Sequence, residues 1–183
     1  MKAKALPGGG VRLTLDPDEV QLLDQWFTQL AELVAPERPE SSDPLVALLG
    51  NVGNDEAARP PEDEALHRLF PDAYRDDDAA AEEFRRFTEQ DLRAGKYDCA
   101  VRVLATLRTG DAKGRVALSA QEARDWLRSL NDLRLVLGTR LGIEDEDDAW
   151  PAEDDPRAPS LLAYHWLTHV QGALVDAVQR AGH

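Results

Sequence analysis

Hydrophobic residues recur at helical spacing along most of this chain, and the pattern predicts five main helices. In the first predicted helix, Pro17–Val34, and the last, Ser160–Arg180, the apolar side chains fall on one face. Three further helices are predicted over Glu62–Phe70, Asp76–Leu107 and Ser119–Ile143. The pattern therefore indicates a mostly α fold in which the helices surround one core.

Two segments share a pattern of alternation followed by a helix start. Val11–Glu19 and Gly114–Glu122 each place a capping residue, Asp16 or Ser119, three positions before a glutamate. This is the spacing of a capping box, in which the cap side chain and the glutamate each accept a hydrogen bond from a free backbone N–H. The alternating residues either pair into a short two-stranded β-ribbon, with both helix starts side by side, or form unpaired lead-ins.

Polar stretches predict loops within a single helical domain. Residues 37–61 and 144–159 are rich in turn-forming or acidic residues, and we expect loops there, apart from a short helical turn at Asp43–Gly50. Gly8–Gly10 is predicted to be a flexible lead-in. No linker divides the chain, so residues 1–183 are expected to form one domain.

Composition excludes several classes of function. The net charge of -14 at pH 7 opposes binding to nucleic acid or to an anionic membrane surface, because both require clusters of Lys and Arg. No apolar run approaches the roughly 20 residues of a membrane span. No signal-peptide pattern follows Lys2 and Lys4. The one cysteine, Cys99, excludes an internal disulfide framework, and we expect a cytoplasmic protein.

Arg134 is unusual because leucines and valines surround it in the predicted Ser119–Ile143 helix. A buried arginine needs a carboxylate or a dense set of hydrogen bonds, and we expect its partner on the Asp76–Leu107 helix. The candidate carboxylates there are Glu82, Glu83, Glu89 and Asp91. Asn131 lies one turn before Arg134 on the same flank, and the small Gly138 one turn after it would let another backbone or a ligand approach. We favour an ion pair that fixes helix register over an anion-binding pocket.

His165 and His169 lie four residues apart on the last predicted helix, and Asp176 projects from nearly the same angle. Such a stripe could bind Zn²⁺ or another divalent ion. However, the sequence H-W-L-T-H lacks the internal glutamate of a zinc-protease helix. The stripe also lies off the apolar face, so we favour solvated polar side chains and predict no cofactor.

The acidic loop of residues 144–155 holds eight carboxylates and one tryptophan, Trp150. It lacks the spacing of an EF-hand, so we interpret it as a solvated loop. Trp150 either folds back onto the domain or anchors a partner. Cys99 is predicted to be a small core residue rather than a nucleophile. The chain contains no nucleophile elbow, P-loop or dinucleotide-binding glycine pattern.

Four stretches together resemble an actinobacterial family of unknown function, the domain of unknown function family 2017. They are Leu69–Asp77, Phe84–Arg93, Trp126–Gly142 and His165–Val175. The resemblance implies no assigned activity and no catalytic residue. It also implies a gene neighbourhood that often includes the ClpS proteolysis adaptor, which is an association rather than a mechanism.

Two classes of function follow from these observations. The first is a non-catalytic binding or regulatory protein with a protein partner, one version being an accessory to ClpS-linked regulated proteolysis. The second is a metal-binding protein or metal-dependent enzyme using His165, His169 and Asp176, or a small-anion binder around Arg134. The lack of a catalytic signature favours the first class. Neither partner identity nor oligomeric state follows from the sequence.

Overall fold

The computed structural model describes residues 1–36, 63–74, 77–143, 151 and 155–182. In that part of the chain, the helices are α1 (Pro17–Val34), α2 (Glu64–Leu69), α3 (Asp78–Leu107), α4 (Ala120–Leu141) and α5 (Ala158–Ala181). The strands are β1 (Lys2–Ala5), β2 (Val11–Thr14) and β3 (Arg115–Leu118). The mostly α prediction is confirmed, and each predicted helix begins and ends within two residues of the observed one.

The two alternating segments do pair, as β2 and β3. Val11 lies opposite Leu118 and Leu13 opposite Val116, and all four side chains are buried. The strands run antiparallel, so the helix that follows each strand begins at the opposite end of the ribbon. The expectation that both helix starts lie side by side is therefore wrong.

A third strand, β1, extends this ribbon into a sheet with the order β1-β2-β3. The sequence pattern missed it because Lys2–Ala5 alternates lysine with alanine, and neither residue favours strands. Gly8 and Gly9 adopt φ angles of 79° and 83° in the turn between β1 and β2, where side chains with a Cβ are strained. The prediction of a flexible lead-in at these glycines is wrong, because they form a turn within the sheet.

Both predicted capping boxes are present. Glu19 donates its backbone N–H to Asp16 Oδ1, and its carboxylate accepts from the Asp16 N–H, each at 2.9 Å. The Ser119 and Glu122 pair repeats the arrangement at 3.2 and 2.7 Å. Local sequence therefore fixes where α1 and α4 begin.

The core joins the sheet to the helices, with α4 at its centre. Trp126 is fully buried, its ring meets Phe27 edge to face at 5.6 Å, and its indole N–H donates to Thr106 Oγ1 at 2.8 Å. Other buried apolar residues of α4 are Ala123, Leu130, Leu133 and Val136. Among the described residues, no helix is long and apolar enough to cross a membrane.

The long helix α3 reaches beyond this core. Its 30 residues span about 45 Å, and the helix continues through Gly95. Its core half, Lys96–Leu107, buries five residues against the rest of the protein: Cys99, Ala100, Val103, Leu104 and Leu107. Its outer half, Asp78–Gly95, buries Ala81, Arg85 and Arg93. The predicted turn at Asp43–Gly50 lies outside the described residues.

Candidate protein-interaction site

Arg134 faces the last helix. Its guanidinium donates to Gln171 Oε1 at 2.9 Å and to Tyr164 Oη at 3.4 Å, and it lies 5.5 Å from the centre of the Tyr164 ring. These contacts are to α5, so the expectation that Arg134 faces α3 is wrong. The Tyr164 ring also packs beside Gly138, where an added Cβ would lie in ordinary contact, 3.4 Å from the ring. Asn131 is exposed on the helix surface.

The ion pairs between α3 and α4 have their acids and bases on the opposite helices to those predicted. Asp125 and Asp132 of α4 are only 2% and 7% exposed, and their partners are bases of α3. Arg102 Nε donates to Asp125 at 2.9 Å, and Lys96 Nζ donates to Asp132 at 2.7 Å. The two helices are therefore joined by ion pairs, with the acids on α4 and the bases on α3.

These two aspartates respond differently to burial. For Asp125, burial raises the pKa, but the hydrogen bond and charge of Arg102 outweigh it, so the pKa is lowered. For Asp132, burial raises the pKa above its usual value of 3.8, and Lys96 only partly offsets this. The Asp132 carboxyl therefore titrates at a higher pH than the Asp125 carboxyl.

The structure does not bring His165, His169 and Asp176 together as one group of three metal ligands. His169 and Asp176 are exposed, and the ring of His165 lies 6.2 Å from that of Tyr164. Asp176 is seven residues beyond His169, about 10 Å along the helix axis, which is too far for ligand bonds of about 2 Å. No group of three or more His, Cys, Asp or Glu side chains within the described residues is placed to hold a metal ion. The three side chains project at similar angles around the helix, but the rise along the helix axis separates Asp176 from the histidines.

Cys99 is a core residue, as predicted. It is 5% exposed, donates to the Asp125 carbonyl at 3.4 Å, and lies 3.5 Å from Ser129 Oγ. Burial raises the pKa of the thiol above its usual value of 9.0. The thiol is therefore protonated and covered near neutral pH, which disfavours reaction. Trp150, the predicted interaction residue, lies outside the described residues.

The most exposed apolar surface runs along the outer half of α3. Of the six large apolar side chains that are exposed in the described residues, four lie on or beside it. They are Tyr74, Phe84, Phe87 and Leu92, with 50%, 43%, 67% and 50% exposure. The rings of Tyr74 and Phe84 meet edge to face, 6.1 Å apart. We call this set the aromatic face.

A cleft of about 320 Å³ opens beside the aromatic face. One wall is the segment Leu69–Ala73, which follows α2, and the other is the side of α3 from Ala81 to Lys96. Phe84 and Leu92 belong both to the aromatic face and to the lining of the cleft. The cleft and the face therefore form one continuous surface.

A chain of ion pairs supports the cleft. Arg85, which is 6% exposed, forms ion pairs with Asp72 and Glu89, and the Glu89 carboxylate accepts from Arg93 Nε at 2.8 Å. The guanidinium of Arg93 lies 5.0 Å from the centre of the Phe70 ring. The hydrogen bond from Arg85 holds the pKa of Asp72 below its usual value of 3.8. Charged contacts thus hold the outer half in place where apolar contacts are few.

The aromatic face is also acidic. Asp91 and Asp98 are exposed, and at 3.6 residues per turn both project within about 40° of Phe84. Between Asp78 and Arg102, the exposed bases among the described side chains are Arg86, which lies over the Phe87 ring at 4.9 Å, and Arg102, which is paired with Asp125. The surface therefore combines large apolar groups with an excess of carboxylates.

The aromatic face does not follow from the hydrophobic spacing alone. Phe84 and Phe87 are three residues apart, a spacing that equally fits a buried helix face. A signal was nevertheless present. Val103 marks the direction in which the core half of α3 buries its side chains. At 100° per residue, Phe84 and Phe87 point about 100° and 160° away from that direction.

Comparison with known proteins gives a family and a set of relatives. The family model described as Domain of unknown function (DUF2017) matches residues 1–178. The oxidative stress regulator AosR of Mycobacterium tuberculosis is 32% identical, with the match covering 92% of this chain and 82% of the relative. A Mycobacterium leprae protein that provisionally carries the same name is 34% identical, over 93% and 83% of the two chains. No solved structure gives a significant match.

Proposed function

This chain belongs to the DUF2017 family, and we propose that it is a non-catalytic regulatory protein of the oxidative stress response that acts by binding another protein. One observation carries the proposal: the similarity to AosR, which extends over 92% of the chain. Similarity over that length supports a shared fold and a related role. We also keep the expectation from the sequence that the protein works in the cytoplasm.

In our proposal, regulation does not depend on a thiol of this chain. Oxidation of a cysteine requires an accessible thiolate, whereas Cys99 is covered and its pKa is raised by burial. The chain has one cysteine and therefore forms no internal disulfide. We assign the sensing of oxidant to a partner protein, and we assign to this chain the role of binding that partner.

The aromatic face supports a binding role. Contiguous exposed apolar groups commonly mark protein contacts, and aromatic side chains contribute much of the binding energy in such contacts. Of the charged groups that line the cleft, Asp72, Arg85 and Glu89 form ion pairs with one another, and Lys96 pairs with Asp132. This arrangement favours a rigid docking surface over a reaction centre. The accessory role in ClpS-linked proteolysis stays a prediction from the family resemblance.

The proposal is tested by deleting the gene in its own host and exposing the strain to hydrogen peroxide. We expect the deletion to change survival and the transcript response to peroxide, and the wild-type gene to restore both. A Cys99→Ala gene should also restore them, because the thiol takes no part. Thermal unfolding of the purified variant serves as the control for its folding.

Two results would contradict the proposal. One is a deletion strain whose survival and transcript response to peroxide match those of the wild type. The other is a folded Cys99→Ala protein that fails to restore the response, which would place oxidant sensing in this chain.

A further inference from the structure

We propose that the outer half of α3 binds a basic amphipathic helix of the partner protein. This inference rests on the proposed function and adds the surface and the chemistry of the partner. It is carried by three properties of the described residues: the shape of the cleft, the exposure of the aromatic face, and the sign of the charge around it.

The shape fits a helix lying in a groove. The α3 wall of the cleft runs from Ala81 to Lys96, about 22 Å at 1.5 Å per residue, which is the length of about four helical turns. Phe84 and Leu92 line this wall about two turns apart, and Phe87 lies beside it one turn after Phe84; each is more than 40% exposed. Helices that bind in grooves present apolar anchors about one turn apart, so an apolar stripe of a partner helix can contact Phe84 and its neighbours.

The charge selects the partner. Asp91 flanks the aromatic face within the outer half, Asp98 lies about one turn beyond that half, and Glu82 and Glu83 are exposed on other sides of it. The whole chain carries a net charge of -14, so its long-range field acts in the same direction. A helix with Lys and Arg beside its apolar stripe is attracted by this surface, whereas an acidic helix is repelled.

The same charge argues against a second copy of this chain as the occupant. In a symmetric dimer the aromatic face would meet its own image, which places Asp91 and Asp98 opposite equivalent carboxylates. Like charges facing each other across an interface weaken association. A basic partner removes this repulsion.

The surface is prepared for binding. Arg85 is buried and ion-paired on both sides, and Arg93 is held between Glu89 and the Phe70 ring. The cleft wall is therefore ordered without a partner, while the aromatic side chains remain exposed to solvent. A preorganised wall lowers the entropy lost on binding.

The test uses the full chain labelled with ¹⁵N and two synthetic helical peptides of about five turns. Both carry the same apolar stripe at the i, i+3, i+4, i+7 positions, flanked by Lys in one peptide and by Glu in the other. In an NMR titration at low salt, we expect the Lys peptide to bind at least about tenfold more tightly. The perturbed amides should lie in the outer half of α3 and in Leu69–Ala73, and salt should narrow the difference.

Two sets of variants make the test specific. Phe84→Ser with Phe87→Ser should weaken binding of the Lys peptide at least about tenfold, because it removes both aromatic anchors. The matched control is Leu162→Ser, which removes an apolar side chain of 52% exposure from α5 and should leave binding unchanged. Asp91→Lys with Asp98→Lys should reverse the preference towards the Glu peptide.

Several outcomes would overturn the inference. Equal binding of the two peptides would contradict the claim that charge selects the partner. Perturbed amides elsewhere in the protein would contradict the claim that the peptide binds the outer half of α3. The same holds if a folded Phe84→Ser/Phe87→Ser protein binds as wild type does. Sedimentation that reveals a dimer dependent on Phe84 and Phe87 would assign the face to self-association.

Failure of this inference is separable from failure of the proposed function. If the deletion strain has an altered peroxide response and the Phe84→Ser/Phe87→Ser gene restores it fully, the function stands and the surface is wrong. If the Lys peptide binds α3 as expected but the deletion strain responds normally to peroxide, the surface stands and the function is wrong.

Discussion

The core half and the outer half of α3 belong to one continuous helix, yet different forces hold them to the protein. The core half buries Ala100, Val103 and Leu107 almost completely. The outer half is held by Arg85 and Arg93 through ion pairs, and it leaves its aromatic side chains in solvent. Burying a large apolar side chain contributes about 1.5–3 kcal/mol, whereas a partly exposed ion pair contributes about 0–1 kcal/mol. Stability is therefore concentrated in one half, which leaves the other half available for binding.

The largest loss of stability should come from the core half. Leu107→Ala removes a side chain that is 2% exposed and leaves a cavity, so we expect the free energy of unfolding to fall by about 2–5 kcal/mol in urea. Val101→Ala, at a 40% exposed position on the same half, is the control and should cost far less. Equal losses for the two variants would contradict the division between buried and exposed faces.

A smaller loss is expected from the outer half. Arg85→Met removes the charged partner of Asp72 and Glu89, and hydrogen bonds to charged groups contribute about 1.5–3 kcal/mol when buried. Because both carboxylates keep contact with water, we expect a loss of about 1–2 kcal/mol in urea unfolding. Amides of the outer half should exchange faster in the variant through local opening, and those of the core half should accelerate only by as much as the loss measured in urea. Exchange in the outer half that is unchanged in Arg85→Met would contradict the division.

The ion pairs of Arg85 also predict a pH dependence. The folded pKa of Asp72 lies below its usual value of 3.8, so its contribution to stability is present above pH 3.8 and is lost as the pH falls through the folded pKa. In Arg85→Met this acid-linked loss should shrink, as measured by urea unfolding at a series of acidic pH values. An unchanged pH profile would show that Arg85 does not control the titration of Asp72.

The pair that joins the core half to α4 should respond in the opposite direction. The folded pKa of Asp132 is raised above 3.8, so its contribution to stability is present below pH 3.8 and is lost as the pH rises through the folded pKa. Asp132→Asn removes this titration, so its stability relative to wild type should improve as the pH rises from 3.8. Asp91→Asn, at an exposed position, is the matched control. A constant difference between Asp132→Asn and wild type across this range would contradict the raised pKa.

The smallest effect on stability should come from the aromatic face itself. Phe84→Ser with Phe87→Ser changes exposed side chains, so we expect urea unfolding to shift by no more than about 0.5 kcal/mol per site. The combination of nearly unchanged stability and lost peptide binding would distinguish a docking surface from a packed one. A loss comparable to that of Leu107→Ala would instead show that the two rings support the fold.

What could be read from the sequence was mainly local. The capping boxes at Asp16 and Ser119 depend on side chains three residues apart, and they form as predicted. Hydrophobic periodicity located the helices, because each must bury one face. The strand Lys2–Ala5 escaped notice because its residues have little preference for strands, and its place in the sheet comes from pairing with β2.

The candidate site required information that periodicity does not contain. A helical pattern gives the angle of Arg134 but not which neighbouring helix lies at that angle. Asp125 and Asp132 are buried beside partners, Arg102 and Lys96, that lie 23 and 36 residues away in the chain, so no local pattern reveals these pairs. Phe84 and Phe87 could only be recognised as exposed once the buried arc of the core half was known.

Native-state hydrogen exchange along α3 tests most directly whether the two halves are held differently. Amides of the core half should exchange only through global unfolding, with opening free energies equal to the stability measured in urea. Amides of the outer half should open locally, with lower free energies that rise when the Lys peptide is added. Uniform opening free energies from Asp78 to Leu107, unaffected by the peptide, would contradict the division of α3 into an anchoring half and a binding half.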